Sequence, residues 1–180
     1  MFQIDIVQKC KANNRKAQIE LYRQYCDSMF SVAMRYVKNV NDAEDVVQEA
    51  FIKAFQKIHQ FKGDVTFGAW LKRIVINKSI DFLKAKRQPL ITLDERYMQI
   101  VEDEDWTVEE GITAAQIKTK MEYLPEKYKY VVMMYLVEGF DHSEISQVLQ
   151  LTETACRTRL LRGKAYLKEL LKEEKHGTGY

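Results

Sequence analysis

Apolar residues recur at three- and four-residue intervals along most of this 180-residue chain, the spacing of a helical face. In Ala12–Val40 the positions are Ile19, Tyr22, Tyr25, Cys26, Met29, Phe30 and Ala33. Asn41, three residues before Glu44, offers a capping box that opens a second helix. Its apolar face is Val46, Val47, Ala50, Phe51, Ala54, Phe55 and Ile58, and Gly63 is placed to end it in a left-handed conformation. A third helix is predicted from about Phe67 to Lys86. Three such helices can close a core, so residues 1–88 read as one domain.

At Pro89 the pattern breaks. Residues 89–108, into whose end the acidic run EDEDWTVEEG (102–111) begins, read as a linker. Periodicity resumes at Val108 and continues through Ile112, Ile117 and Met121. Pro125 suits the first position of a helix that Gly139 can terminate. Asp141 and Glu144 form a second capping box, before a short helix burying Ile145, Val148 and Leu149. Thr152 then caps a further helix with Leu160, Leu161 and Leu167 turned inward. Two helices joined this way make a helix-turn-helix, whose second member enters the major groove by its N-terminal residues. The expected fold is all-α: two small helical domains, 1–88 and 109–175, joined by an acidic linker, the C-terminal one a helix-turn-helix.

Charge sharpens this division. The net charge of +2 conceals a basic block at residues 1–87 (16 Lys and Arg, 9 Asp and Glu). An acidic middle follows at 88–126 (3 and 10), then a mildly basic block at 127–180 (9 and 7). Cys10, Cys26 and Cys156 are widely spaced, as are His59, His142 and His176, which suits neither a disulfide framework nor a zinc site. No phosphate-binding glycine loop, nucleophile elbow or HExxH stands in the chain, so neither enzyme, metal nor cofactor is expected. No apolar run approaches the ~18 residues of a membrane span. The N-terminal stretch lacks a signal peptide's features, and the chain reads as cytoplasmic.

Three groups of side chains invite chemistry. Asp45, Gln48 and Glu49 share one helical face, which suits a partner helix bearing arginines. Asp42 and Glu44 are accounted for by the helix dipole. Between residues 61 and 87 a loop, Lys62–Phe67, carries Gly63, Asp64 and Thr66. On the helix behind it Trp70, Arg73, Asn77, Asp81 and Lys84 fall on one stripe, with Lys78 nearby. Aromatics interleaved with cations are how proteins hold single-stranded nucleic acid, although Phe61, Phe67 and Trp70 would serve equally as packing. The last helix offers Thr154, Arg157, Thr158, Arg159, Arg162 and Lys164, and arginine's fork suits guanine edges and phosphates alike.

Taken in order, DAEDVVQEAFIKAF, FKGDVTFGAWLKRIVINKSIDFLKAKR and YLPEKYKYVVMMYLVEGFDHSEISQVLQLTETACRTRLLRGKAYLKEL resemble the extracytoplasmic function (ECF) group of bacterial sigma factors. The resemblance implies a region 2-like domain over 1–88 and a region 4-like domain over 109–175. It implies that Asp45, Gln48 and Glu49 bind the clamp helices of core RNA polymerase. Lys62, Gly63, Asp64, Thr66, Trp70, Arg73, Asn77, Lys78 and Lys84 would melt the −10 promoter element, the loop receiving a flipped base of the non-template strand. Thr154, Arg157, Thr158, Arg159, Arg162 and Lys164 would read −35 DNA. Partners would be the polymerase, promoter DNA and an anti-sigma factor, with no small-molecule substrate. Where the family commonly has Gly-Thr-Val before the basic run, this chain has Thr154, Ala155 and Cys156. The acidic linker suits either a transcript mimic in the RNA channel or a solvated tether. The rival is a free-standing helix-turn-helix regulator of duplex operators, which would have little use for the basic stripe.

Overall fold

The computed structural model describes residues 2–86 and 112–177, with side chains described from Ile6 to Lys172 in that range. The predicted linker, with Asp94, Glu95, Glu102, Asp103, Glu104 and Asp105, lies outside the described residues, as do Arg87 and Val108. Among the described residues every regular element is helical. The chain forms two compact units, Met1–Thr92 and Leu93–Tyr180.

In the first unit α1 (Phe2–Lys11), passed over by the periodicity reading, buries Ile6, Val7 and Cys10. A left-handed Asn13 turns the chain. Asn14 then caps α2 (Arg15–Val37) by accepting the Ala17 N–H at 3.1 Å. The buried face of α2 is Ala17, Leu21, Met29, Val32, Ala33 and Tyr36, so the predicted face is only partly right. Ile19 and Tyr22 are exposed, because tertiary packing selects Leu21, one position from Tyr22. Lys38 closes α2 in a left-handed conformation. The cap of α3 (Val40–Lys57) is Asn39, which accepts the Asp42 N–H at 3.1 Å, and not Asn41, which lies inside the helix.

The predicted face of α3 is buried apart from a half-buried Phe55, and Ala43 extends it. A 3₁₀ turn, Ile58–Gln60, ends the helix, so Gly63 is not its terminator. Gly63 does take a left-handed φ of +89°, inside the following loop. Thr66 begins α4 (Phe67–Lys86) by accepting the Ala69 N–H at 3.2 Å. Phe67, Leu71, Val75, Ile76 and Ile80 are buried, each worth roughly 1.5–3 kcal/mol. The buried Ser79 hydroxyl returns to the Val75 carbonyl at 2.9 Å. Gly68 lets Tyr25 lie close, since a Cβ there would come within 2.9 Å of the ring.

The second unit begins with α5 (Ala114–Met121), closed at its start by a Thr113–Gln116 capping box. Pro125 stands at the cap of α6 (Glu126–Leu136), one position before the first helical residue. Gly139, at φ +74°, turns the chain so that the Phe140 N–H reaches the Met134 carbonyl at 3.0 Å. Asp141 and Glu144 make the expected capping box on α7 (His142–Leu149). Gln150 supplies a left-handed turn, and Thr152 caps α8 (Glu153–Gly177) by accepting the Ala155 N–H at 3.1 Å. Ile145, Val148, Cys156, Leu160 and Leu167 are buried together with Val131, Val132 and Met134 of α6, while Leu149 and Leu161 are half-buried. At the crossing of α6 and α8, Gly163 is buried, and a Cβ there would overlap Val132 Cγ2 and lie 3.1 Å from Tyr128 Cβ.

Candidate nucleic-acid interface

The loop of residues 61–67 is framed by rings. Phe61 and Phe67 meet edge-on at 5.6 Å, and Trp70 lies 5.5 Å from each. Tyr25 adds a fourth ring, 5.5 Å from Phe67. Both ends of the loop are therefore fixed by apolar contact, worth about 0.5–1.5 kcal/mol per pair beyond burial. Lys62, Gly63, Asp64, Val65 and Thr66 between them are exposed. No neighbour stands within 4 Å of a Cβ at Gly63, so glycine is required there by its φ and not by crowding. The Thr66 oxygen is taken as acceptor by Ala69, leaving its hydroxyl hydrogen to donate.

Behind the loop, Arg73, Asp81 and Lys84 are exposed on α4 and Asn77 and Trp70 are half-buried. That stripe stands as one solvent-facing sector. Lys78 is not on it. Its ammonium pairs with Glu49 of α3 at 2.9 Å, and Lys86 pairs with Asp42 at 2.6 Å. One predicted DNA contact and one predicted partner contact thus hold each other. On α3, Asp45, Gln48 and Glu49 are all exposed, and Ile52, 58% exposed, completes the same i, i+3, i+4, i+7 row. Sequence reading missed Ile52, though its absence from the buried face was the available signal. It also missed Lys11, whose Nζ donates to the Phe61 carbonyl at 2.9 Å from 50 residues away.

In the second unit the six candidate side chains do not form one face. At 100° per residue, Arg157 and Arg159 flank α8 on opposite sides of its buried seam. Thr154, Arg157 and Thr158 share the N-terminal outward face, where Arg157 lies 3.5 Å from Glu153 and the Thr158 hydroxyl donates to the Thr154 carbonyl. Arg162 is half-buried, its Nε enclosed without a hydrogen-bond partner. Lys164 sits 5.5 Å from the Tyr135 ring centroid, and His142 stacks on that ring at 5.2 Å. These two bring α6, α7 and α8 together at one end of the helix-turn-helix.

Residues 21–88 match the family model for sigma-70 region 2, and residues 114–167 match that for sigma-70 region 4. The ECF RNA polymerase sigma factor SigW of Bacillus subtilis is 30% identical over 180 residues, covering 93% of this chain and 95% of that protein. The chain belongs to the ECF sigma factors. The ECF RNA polymerase sigma-E factor of Escherichia coli is 29% identical, covering 88% of each chain. In fold this sigma factor resembles CnrH, solved with the cytosolic domain of CnrY (TM-score 0.56, 22% identity, 95% of this chain and 97% of that one). It also resembles RpoE of Bartonella quintana, solved with the anti-sigma factor NepR (TM-score 0.51, 17% identity, 85% and 95%). As an RNA polymerase sigma factor the protein acts in transcription initiation. The region 2 match covers the loop and α4, and the free-standing regulator is not favoured. The aromatic frame and the stripe therefore belong to region 2 of the sigma factor, and the helix-turn-helix to region 4. Among the described residues no helix is long and apolar enough to cross a membrane, and no cluster of three metal-ligating side chains occurs.

Proposed function

We propose that this sigma factor binds core RNA polymerase through the exposed row Asp45, Gln48 and Glu49, and directs it to promoters whose −10 element it melts. Exposed DNA would enter the loop Lys62, Gly63, Asp64 and Thr66 and run along Trp70, Arg73, Asn77 and Lys84. Lys78 joins that surface once Glu49 engages the polymerase. The −35 element would be read by Thr154, Arg157 and Thr158, with Arg159, Arg162 and Lys164 on phosphates. Residues 1–88 and 109–175 would be the two working domains and 89–108 their linker. The protein itself would catalyse no step, need no cofactor and work in the cytoplasm. RpoE of Bartonella quintana was solved with the anti-sigma factor NepR and CnrH with the cytosolic domain of CnrY, and an anti-sigma factor is proposed here too.

The observation that carries this reading is the exposed loop clamped between aromatic rings in front of a solvent-facing basic stripe. Melting costs a few kcal/mol for each base extruded, and a rigid receptacle with stacking surfaces worth roughly 1–3 kcal/mol per base can offset that. The test is co-elution of the purified chain with sigma-free core polymerase, beside Asp45→Lys. That variant is cleaner than reversal at Glu49, which would also set a cation against Lys78. Native binding that weakens at least tenfold in the variant, with run-off transcription lost in step, is expected. Duplex binding by the free chain with no affinity for polymerase would reject the reading.

A further inference from the structure

We propose that Lys11 is a positioning residue for the promoter-melting loop, so that α1, which precedes the region 2 match, takes part in DNA opening. The inference rests on the sigma reading of that loop given above.

The loop enters from the 3₁₀ turn at Phe61 and leaves at Thr66. Its exit is held by the α4 cap, and the two flanking rings lock against each other. Its entry is held differently. The Phe61 N–H reaches back to the Ile58 carbonyl at 3.2 Å, and the Phe61 carbonyl accepts the Lys11 ammonium at 2.9 Å. The peptide after Phe61 is the one that aims Lys62 and Gly63, so whatever fixes this carbonyl sets the direction in which the loop departs. Gly63, at φ +89°, adds freedom there, and freedom needs a restraint upstream if the loop is to be preorganised for a base.

Lys11 is itself well anchored. It ends α1, beside a Cys10 that is fully buried. The turn that follows is tied by Ala12 N–H to Gln8 O at 3.1 Å, Asn13 N–H to Cys10 O at 3.0 Å and Asn14 N–H to Lys9 O at 3.0 Å. The lysine stem is half-buried, so its ammonium reaches the carbonyl from a fixed base. A charged donor on a partly buried carbonyl is among the stronger single hydrogen bonds.

The experiment uses polymerase holoenzyme made with the full chain, wild type, Lys11→Met and Lys11→Arg, on a promoter duplex carrying 2-aminopurine in the non-template −10 strand. Lys11→Met keeps the length and apolar stem while removing the donor. The expected result is unchanged co-elution with core polymerase, a melting temperature of the free chain lowered by several degrees but still well above the assay temperature, and an opening rate roughly tenfold slower, the size of one charge-assisted hydrogen bond. Lys11→Arg should restore most of that rate. Lys11→Met opening at the wild-type rate overturns the proposal. So does a parallel loss of polymerase binding, or a free chain already unfolded at the assay temperature, either of which would make Lys11 a folding residue only, and so does failure of arginine to rescue. A wild-type holoenzyme that never opens the duplex would instead reject the sigma reading beneath it.

Discussion

Cys156 stands where the family commonly has valine before its basic run, and it is completely buried beneath α8. It therefore does the work of an apolar side chain and reads no base. Burial pushes its thiol above the ordinary value of 9.0, the neighbouring Glu153 in the same direction and Arg159 against it. A raised thiol keeps its contribution to stability in full below pH 9 and loses it as pH climbs through the folded value. Cys156→Ser should cost the second unit about 1–3 kcal/mol by burying a hydroxyl where a thiol packs, a cost that back-bonding to the Thr152 carbonyl offsets only in part. Binding to −35 DNA per folded molecule should be unchanged, as chemical denaturation and a DNA titration on the same sample will show. Denaturation curves that coincide with wild type would mean that the site is not closed. Arg157 and Arg159 make a second contrast. They lie on opposite flanks of one helix, and on the proposed reading Arg157 reads bases while Arg159 holds phosphate. Arg157→Ala should cost about 1–3 kcal/mol at the cognate −35 sequence and relax its discrimination. Arg159→Ala should weaken all sequences alike and reduce the salt slope by about one. Two variants with the same sequence preference would contradict that division.

Helix ends were legible at the helix-turn-helix, and less so at the Asn14 cap of α2 and the Thr113–Gln116 box of α5, which periodicity passed over. The box at Asp141–Glu144 and the cap at Thr152 stand where the sequence places them, because a side-chain oxygen three residues before an amide has one good use. The cap of α3 fell two residues early because Asn39 and Asn41 are both competent, and only the turn at Lys38 decides between them. Buried faces were legible on α3 and less so on α2, where Leu21 rather than Ile19 or Tyr22 points inward. Periodicity cannot rank two overlapping apolar stripes until neighbouring helices are in place. What no local pattern can show is a contact across elements. The pairs Lys78–Glu49 and Lys86–Asp42 stitch α3 to α4, and Gly163 lets α8 touch α6. The pairs are exposed, and each should contribute under about 1 kcal/mol. The glycine is a different matter. Gly163→Ala forces Val132 and Tyr128 to move and should destabilise the second unit by about 1–3 kcal/mol. A melting temperature equal to wild type would show that the crossing gives way easily.

The two-unit organisation was the most legible feature, since Pro89 and the acid-rich stretch interrupt periodicity between two sets of apolar helices, and the division between Thr92 and Leu93 falls inside that stretch. The same sequence sets up an internal competition. A block of net charge +7 at residues 1–87 is joined covalently to one of −7 at 88–126. Tethering keeps the acids at an effective concentration that can reach the millimolar range, far above that of DNA in any binding assay. On the proposed reading, phosphate contacts by Arg73 and Lys84 would then be won against carboxylates of the same chain. Neutralising Glu102, Asp103, Glu104 and Asp105 to their amides raises the net charge from +2 to +6. The free chain should then bind duplex DNA several-fold more tightly at ~0.05 M salt, where the Debye length exceeds 10 Å. The gain should shrink towards nothing by ~0.5 M, because both competitors are screened together. Fluorescence anisotropy across a salt series reads this directly. A four-amide variant whose affinity and salt slope match wild type would show that the acidic stretch is a tether with no electrostatic part in keeping the free protein off DNA. A gain that persists at high salt would point instead to new direct contacts made by the amides.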